Sequence, residues 1–121
     1  MLIAYWIVAG LTALIFFAAG LNKLIRPKDA LAASGMAYVE DFTAWQVRLI
    51  GLAEVLGAVG LILPMALGIL PVLSPIAGIG LVIIMVGATV THVRRKERFI
   101  PTLVLLALAA ASAVLGFLVL P

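Results

Sequence analysis

Four apolar stretches, near residues 2–24, 44–63, 75–93 and 101–120, take up most of this 121-residue chain. That pattern decides the fold class. A helix needs about 20 apolar residues to cross a hydrocarbon core of ~30 Å, and each stretch comes close. Lipid also demands that every backbone polar group be satisfied within its own segment or in a closed barrel. The ~10-residue alternation of a membrane β-strand is missing. Only 11% of the residues are charged, against about 25% in a soluble domain. The expectation is an all-α integral membrane four-helix bundle, one four-span domain over 1–121. Its short connections favour an up-down-up-down order of antiparallel neighbours.

Charge then orients the bundle. All eight Lys and Arg residues border one set of helix ends. Lys23, Arg26, Lys28 and Arg48 lie around the first connection, and Arg94, Arg95, Lys96 and Arg98 in the third. The positive-inside rule puts those ends in the cytoplasm and both termini outside. The sequence pI near 9.8 does not indicate nucleic acid, because basic residues beside apolar spans fix orientation and meet anionic headgroups. The partner they imply is the lipid bilayer. The first stretch has no basic residue before Lys23 and is too long for a signal-peptide core, so it should stay as a helix. With no cysteine, the chain has no dithiol redox mechanism, disulfide or thiolate metal site of its own.

Local signals punctuate the spans. Tyr5 and Trp6 suit an outer interface. Pro27 suits the first turn of a short helix over 28–34 that Gly35 would stop. The connection 25–43 is the long one, an interfacial loop on the cytoplasmic side and the natural place for a protein partner to dock. Tyr38, Phe42 and Trp45 read as one aromatic cluster at that interface. Thr43 and Gln46 match a capping box, which starts the second helix near Ala44. Pro64 reads as its stop, and Ser74-Pro75 as the cap and first residue of the third. Small residues (Ala9, Ala13 and Gly20; Ala53 and Gly57; Gly80 and Gly87; Ala109 and Ala113) mark close helix contacts, within the bundle or at the seam of a homo-oligomer or hetero-complex.

Glu54 is the most informative residue. It lies ten positions beyond Ala44, about 15 Å at ~1.5 Å per residue, near the bilayer centre. An acid there costs at least ~2.5–3.5 kcal/mol on insertion scales, so it should face inward with a partner. Val47, Gly51, Glu54 and Ala58 share one helical face, and Gly51 leaves room beside the carboxylate. Side chains tilt toward their helix N-terminus, so Glu54 leans toward the basic end while Lys23 and His92 lean into the membrane. This predicts a polar cluster of Lys23, Arg48, Glu54 and His92, with Asn22 and Thr89 nearby. The plainer readings stand beside it: Lys23 and Arg48 snorkelling to the interface, His92 capping a helix end, and Glu54 in a structural ion pair. No nucleophile elbow, phosphate loop or haem pair occurs. The single histidine offers no metal site. The chain reads as no enzyme by itself.

Three segments also resemble a known family. Ala19-Gly20-Leu21-Asn22-Lys23-Leu24, then Arg48-Leu49-Ile50-Gly51-Leu52-Ala53-Glu54-Val55-Leu56-Gly57 with Gly60 to Pro64, then Met85-Val86-Gly87-Ala88-Thr89-Val90-Thr91-His92 with the basic turn and Glu97, are similar in order to DoxX-like (DoxX/DoxD) membrane proteins. The resemblance implies a small four-helix protein of the bacterial plasma (inner) membrane. Some members are subunits of thiosulfate:quinone or quinol-oxidising complexes, and others accompany partner enzymes in oxidative-stress systems. Three readings follow. The leading one is a non-catalytic subunit or scaffold of a membrane-associated complex. The second is a quinone-binding redox subunit, in which Lys23, Glu54 and His92 hold the headgroup and a partner supplies electrons. The third, a small-solute transporter, is weakest because the chain lacks broken helices and midplane polar pairs. No cofactor other than quinone is suggested.

Overall fold

The computed structural model covers residues 1–121. Five α-helices and one 3-10 turn make up the chain, in the order α1 (Leu2–Ile25), α2 (Lys28–Ala33), the 3-10 turn (Ala37–Asp41), α3 (Ala44–Leu67), α4 (Leu73–Arg94) and α5 (Ile100–Leu118). There are no strands. The helices α1, α3, α4 and α5 are each long and apolar enough to cross a membrane. Only 22–28% of the most apolar part of each is buried. The rest of each helix turns Ile, Leu and Val outward, including Ile3, Ile7, Leu14, Leu56 and Ile83. A helix apolar on all sides has no aqueous face, so lipid is the solvent of that outer surface.

The four long helices close into a ring of antiparallel neighbours: α1 on α3, α3 on α4, α4 on α5 and α5 on α1. Individual contacts fix the directions. Gly20 meets Gly51 near one end, and Tyr5 reaches Leu61 near the other. Gly57 packs on Leu81 and Gly78 on Ala113. Thr12 and Ser112, both fully buried, lie 3.3 Å apart across α1 and α5. Phe16, Leu61, Leu81 and Met85 fill the centre around small residues such as Ala13, Ala58 and Ala109. The buried positions of α3 are Val47, Gly51, Glu54, Ala58 and Leu61, the face that the helical wheel selects.

Two boundary expectations are corrected at the end opposite the basic residues. Pro64 does not stop α3, which continues to Leu67 and ends on Gly68 in the left-handed region (φ 67°). A proline inside a membrane helix removes one N–H, and neighbouring helices can satisfy the groups around it. Here Tyr5 Oη donates to the Leu61 carbonyl at 2.5 Å, and the Met65 N–H donates to Ser74 Oγ at 3.1 Å. Ser74 is therefore not a helix cap. It sits inside the first turn of α4, fully buried, and joins α4 to α3 beside the proline. The capping box at Thr43 and Gln46 is formed, with both reciprocal hydrogen bonds present (2.9 and 3.1 Å).

The connection between α1 and α3 packs chiefly on itself. Leu31 and Val39 are fully buried together and meet Val47 of α3. Gly35, at φ 103°, makes the turn after α2 that a side chain would strain. The aromatic residues do not form one cluster. Trp45 is 68% exposed, while Tyr38 and Phe42 turn inward. The cause is the α3 start: Val47 occupies the inward face, which leaves Trp45, two positions earlier, on the outside.

Candidate functional site: a cavity beside a buried ion pair

The close approach of α1 and α3 creates the site. Gly20 and Gly51 face each other so tightly that a Cβ on either would come within 2.5–2.7 Å of the other's carbonyl oxygen. This contact brings Lys23, one turn on from Gly20, against Glu54, one turn on from Gly51. Lys23 Nζ donates to Glu54 Oε1 at 2.6 Å. The pair is almost wholly removed from solvent, with Lys23 5% and Glu54 1% exposed. An isolated charge could not stay at such a position, but two opposite charges at hydrogen-bonding distance can.

Beside the pair lies a cavity of about 290 Å³. Its walls are apolar, built from Phe42, Ile50, Ile83, Ile84, Met85 and Ala88. Lys23, Glu54 and Tyr38 make one polar corner. Thr91 and Gly87 complete the lining, and nothing lies within 4 Å of where a Cβ on Gly87 would be. Ile83 and Gly87 are also exposed on the outer surface of α4, so the cavity borders the lipid-facing side between α3 and α4. Burial pushes the Tyr38 phenol above its ordinary pKa, and the Lys23 charge only partly opposes this. Tyr38 therefore keeps its proton and stands as a donor.

Of the six residues singled out from sequence, Lys23 and Glu54 alone line the cavity. Arg48 is exposed and pairs with no carboxylate, because the inward positions near it belong to Val47 and Gly51. Thr89 faces α5 instead of Glu54: its hydroxyl lies 3.0 Å from that of Thr102 and 2.8 Å from the Met85 carbonyl. Asn22 stays outside the cavity, where its Oδ1 lies 3.5 Å from the Arg26 guanidinium. His92 joins a second network. Its Nδ1 is 3.2 Å from Glu97 Oε1, and its ring meets the Tyr38 ring edge-on at 5.0 Å between centroids. His92 thus touches the site only through Tyr38.

The centre of that second network is Arg95. It lies 2.6 Å from Asp41, 3.5 Å from Glu40 and 3.2 Å from Glu97. Of the chain's five acidic residues, three gather on Arg95 and one on Lys23. The basic turn therefore carries one residue committed to a tertiary contact. Nothing in the composition of that turn separates Arg95 from Arg94 or Arg98. The cue was the pair of adjacent acids, Glu40 and Asp41, in the only long connection. Tyr38, the other residue not anticipated, was recognisable as aromatic but not as inward-facing.

No curated protein and no solved structure matches the chain. A family model does, over residues 7–115, which takes in α3 and α4, most of α1 and α5, Lys23, Glu54 and the Arg95 turn. The chain is a multi-pass membrane protein and belongs to the DoxX-like family.

Proposed function

We propose that this DoxX-like protein is a non-catalytic membrane subunit that holds the polar head of a small amphipathic molecule taken from the bilayer. The cavity beside Lys23 and Glu54 carries the reading. Binding sites for small molecules are largely apolar with a few convergent polar groups, and this one has apolar walls and one polar corner. Its volume suits a headgroup and not a whole lipid. The border with lipid at Ile83 and Gly87 offers a lateral way in.

A quinone-binding redox subunit is the more specific second reading. The observation in its favour is that Lys23 and Tyr38 both bring donors to the cavity, which suits the carbonyl acceptors of a quinone. A partner protein would supply the electrons. The family resemblance supports a bacterial plasma membrane setting. The one-sided distribution of all eight Lys and Arg residues supports a cytoplasmic basic end. A topology reporter fused after Pro121 should then read as external, and a cytoplasmic signal would overturn that orientation.

The ligand reading is tested by gentle purification from native membrane, with mass spectrometry of bound small molecules and proteins. Gly87→Leu is the informative variant, because its Cβ would meet nothing within 4 Å. An amphipathic molecule should co-purify with the wild type and fall by about ten-fold, or ~1.4 kcal/mol of binding, in Gly87→Leu. A protein partner retained equally by both, with no small molecule in either, would discard the ligand and leave the scaffold reading.

A further inference from the structure

We propose that residues 28–41 form a lid over the cavity and that Arg95 is its latch, fastened to Asp41 and Glu40. This rests on reading the cavity as a ligand site. The segment has the build of a movable unit. It has its own small core in Leu31 and Val39, with Val47 of α3 the one fully inward partner from a long helix. Extended residues flank it on both sides, Arg26 and Pro27 before and Phe42 and Thr43 after. Such non-helical positions at element ends can absorb a hinge rotation. Tyr38 hangs from the segment into the cavity corner, and its ring rests on His92.

The ion pairs between this segment and the rest of the chain all run through Arg95, and Tyr38 also comes within reach of the Lys23 ammonium. Asp41 at 2.6 Å is the short one and Glu40 at 3.5 Å the longer. Glu97 holds the guanidinium from the other side at 3.2 Å and also reaches His92. The carboxylates at the lid are about half exposed (Asp41 49%, Glu40 60%), whereas the Lys23–Glu54 pair is sealed. A solvent-facing ion pair is weak and sensitive to salt. The lid fastening is therefore loose and reachable from water, while the polar corner beneath it is fixed.

The chain has no cysteine, so one introduced thiol reports lid opening cleanly. Ala88→Cys puts it in the cavity wall. Its labelling by a membrane-impermeant cationic methanethiosulfonate is followed in nanodiscs, alone and combined with Arg95→Gln or Asp41→Asn. Loss of the latch should speed labelling by about five-fold for Arg95→Gln and about two-fold for Asp41→Asn, in line with a partly exposed ion-pair network. The two variants change net charge in opposite directions. If rates stay unchanged, or one rises while the other falls, the latch is overturned, because simple attraction of the reagent would move them apart. Folding is checked by equal monodispersity of the three proteins. Labelling needs no ligand, which separates the two ideas. A lid that opens over a cavity yielding no small molecule sinks the ligand reading alone. A retained ligand with unchanged labelling sinks the lid alone.

Discussion

Lys23→Met or Glu54→Leu alone will destabilise the bundle by about 3–5 kcal/mol, whereas the double variant will stay close to the wild type. The geometry sets this expectation. The two side chains are 2.6 Å apart and almost fully buried, so either change strands the other group in an apolar interior. Removing both leaves a buried apolar site of similar volume with no stranded charge. The single changes should also differ from each other. Lys23 is two residues from the C-terminal end of α1, so an unpaired ammonium can swing its long stem toward the basic end. Glu54 is ten residues from the start of α3 and has no such exit. Lys23→Met should therefore be the worse of the two. Thermal denaturation in detergent, arranged as a double-mutant cycle, gives the coupling directly. Retention of the amphipathic molecule is the second readout. A double variant that folds like the wild type but no longer carries the molecule assigns the pair to binding. If it folds and still carries the molecule, the polar corner is not the recognition element. If instead the double is as damaged as the two singles added together, the pair is not coupled.

What the sequence revealed depends on how far apart the deciding residues lie. Helical periodicity is local, so the inward face of α3 over Val47, Gly51, Glu54 and Ala58 followed from spacing alone, and Leu61 extends it by one turn in the structure. The Lys23–Glu54 pairing was also within reach. It needed only the antiparallel order of two adjacent helices and the tilt of side chains toward each N-terminus. Thr89 failed for a reason of the same kind. Its helix has two neighbours, and a face pattern without packing detail cannot say that Thr89 would meet Thr102 of α5. Pro64 reads as a stop in the sequence because its rescue comes from Tyr5 and Ser74 on two other helices. Arg95 could not be told from its basic neighbours, since Asp41 lies 54 residues away in sequence. The cavity was the least legible feature. It exists because Gly87 supplies no side chain at one position while Gly20 and Gly51 draw two helices together at another, and only the assembled bundle distinguishes these glycines.

That distinction yields the second large effect. Gly20→Ala or Gly51→Ala should each destabilise the protein by about 1–3 kcal/mol, the range of overpacked interiors, while Gly80→Ala should be near neutral. A Cβ at residue 20 would lie 2.5 Å from the Gly51 carbonyl oxygen and 2.8 Å from Val55 Cγ2; one at residue 51 would lie 2.7 Å from the Gly20 carbonyl oxygen and 2.8 Å from Lys23 Cβ. Two of these four obstacles are backbone atoms of a packed helix, which cannot rotate aside as a side-chain tip can. Relief requires α1 and α3 to part. Close backbone approach at small residues is a principal source of helix association in lipid, so parting forfeits packing along the whole contact. It also draws Lys23 away from Glu54, because each sits one turn from its glycine. Fold and site are thus coupled through one contact, and the ligand content of these variants should drop together with their melting temperature. Gly80 has nothing within 4 Å of its Cβ position, so its substitution controls for the loss of glycine itself. Melting curves of the three alanine variants decide the matter. Equal stability for Gly51→Ala and Gly80→Ala would mean that the α1–α3 contact is looser than these distances require. The rigid placement of Lys23 against Glu54 would then need another cause.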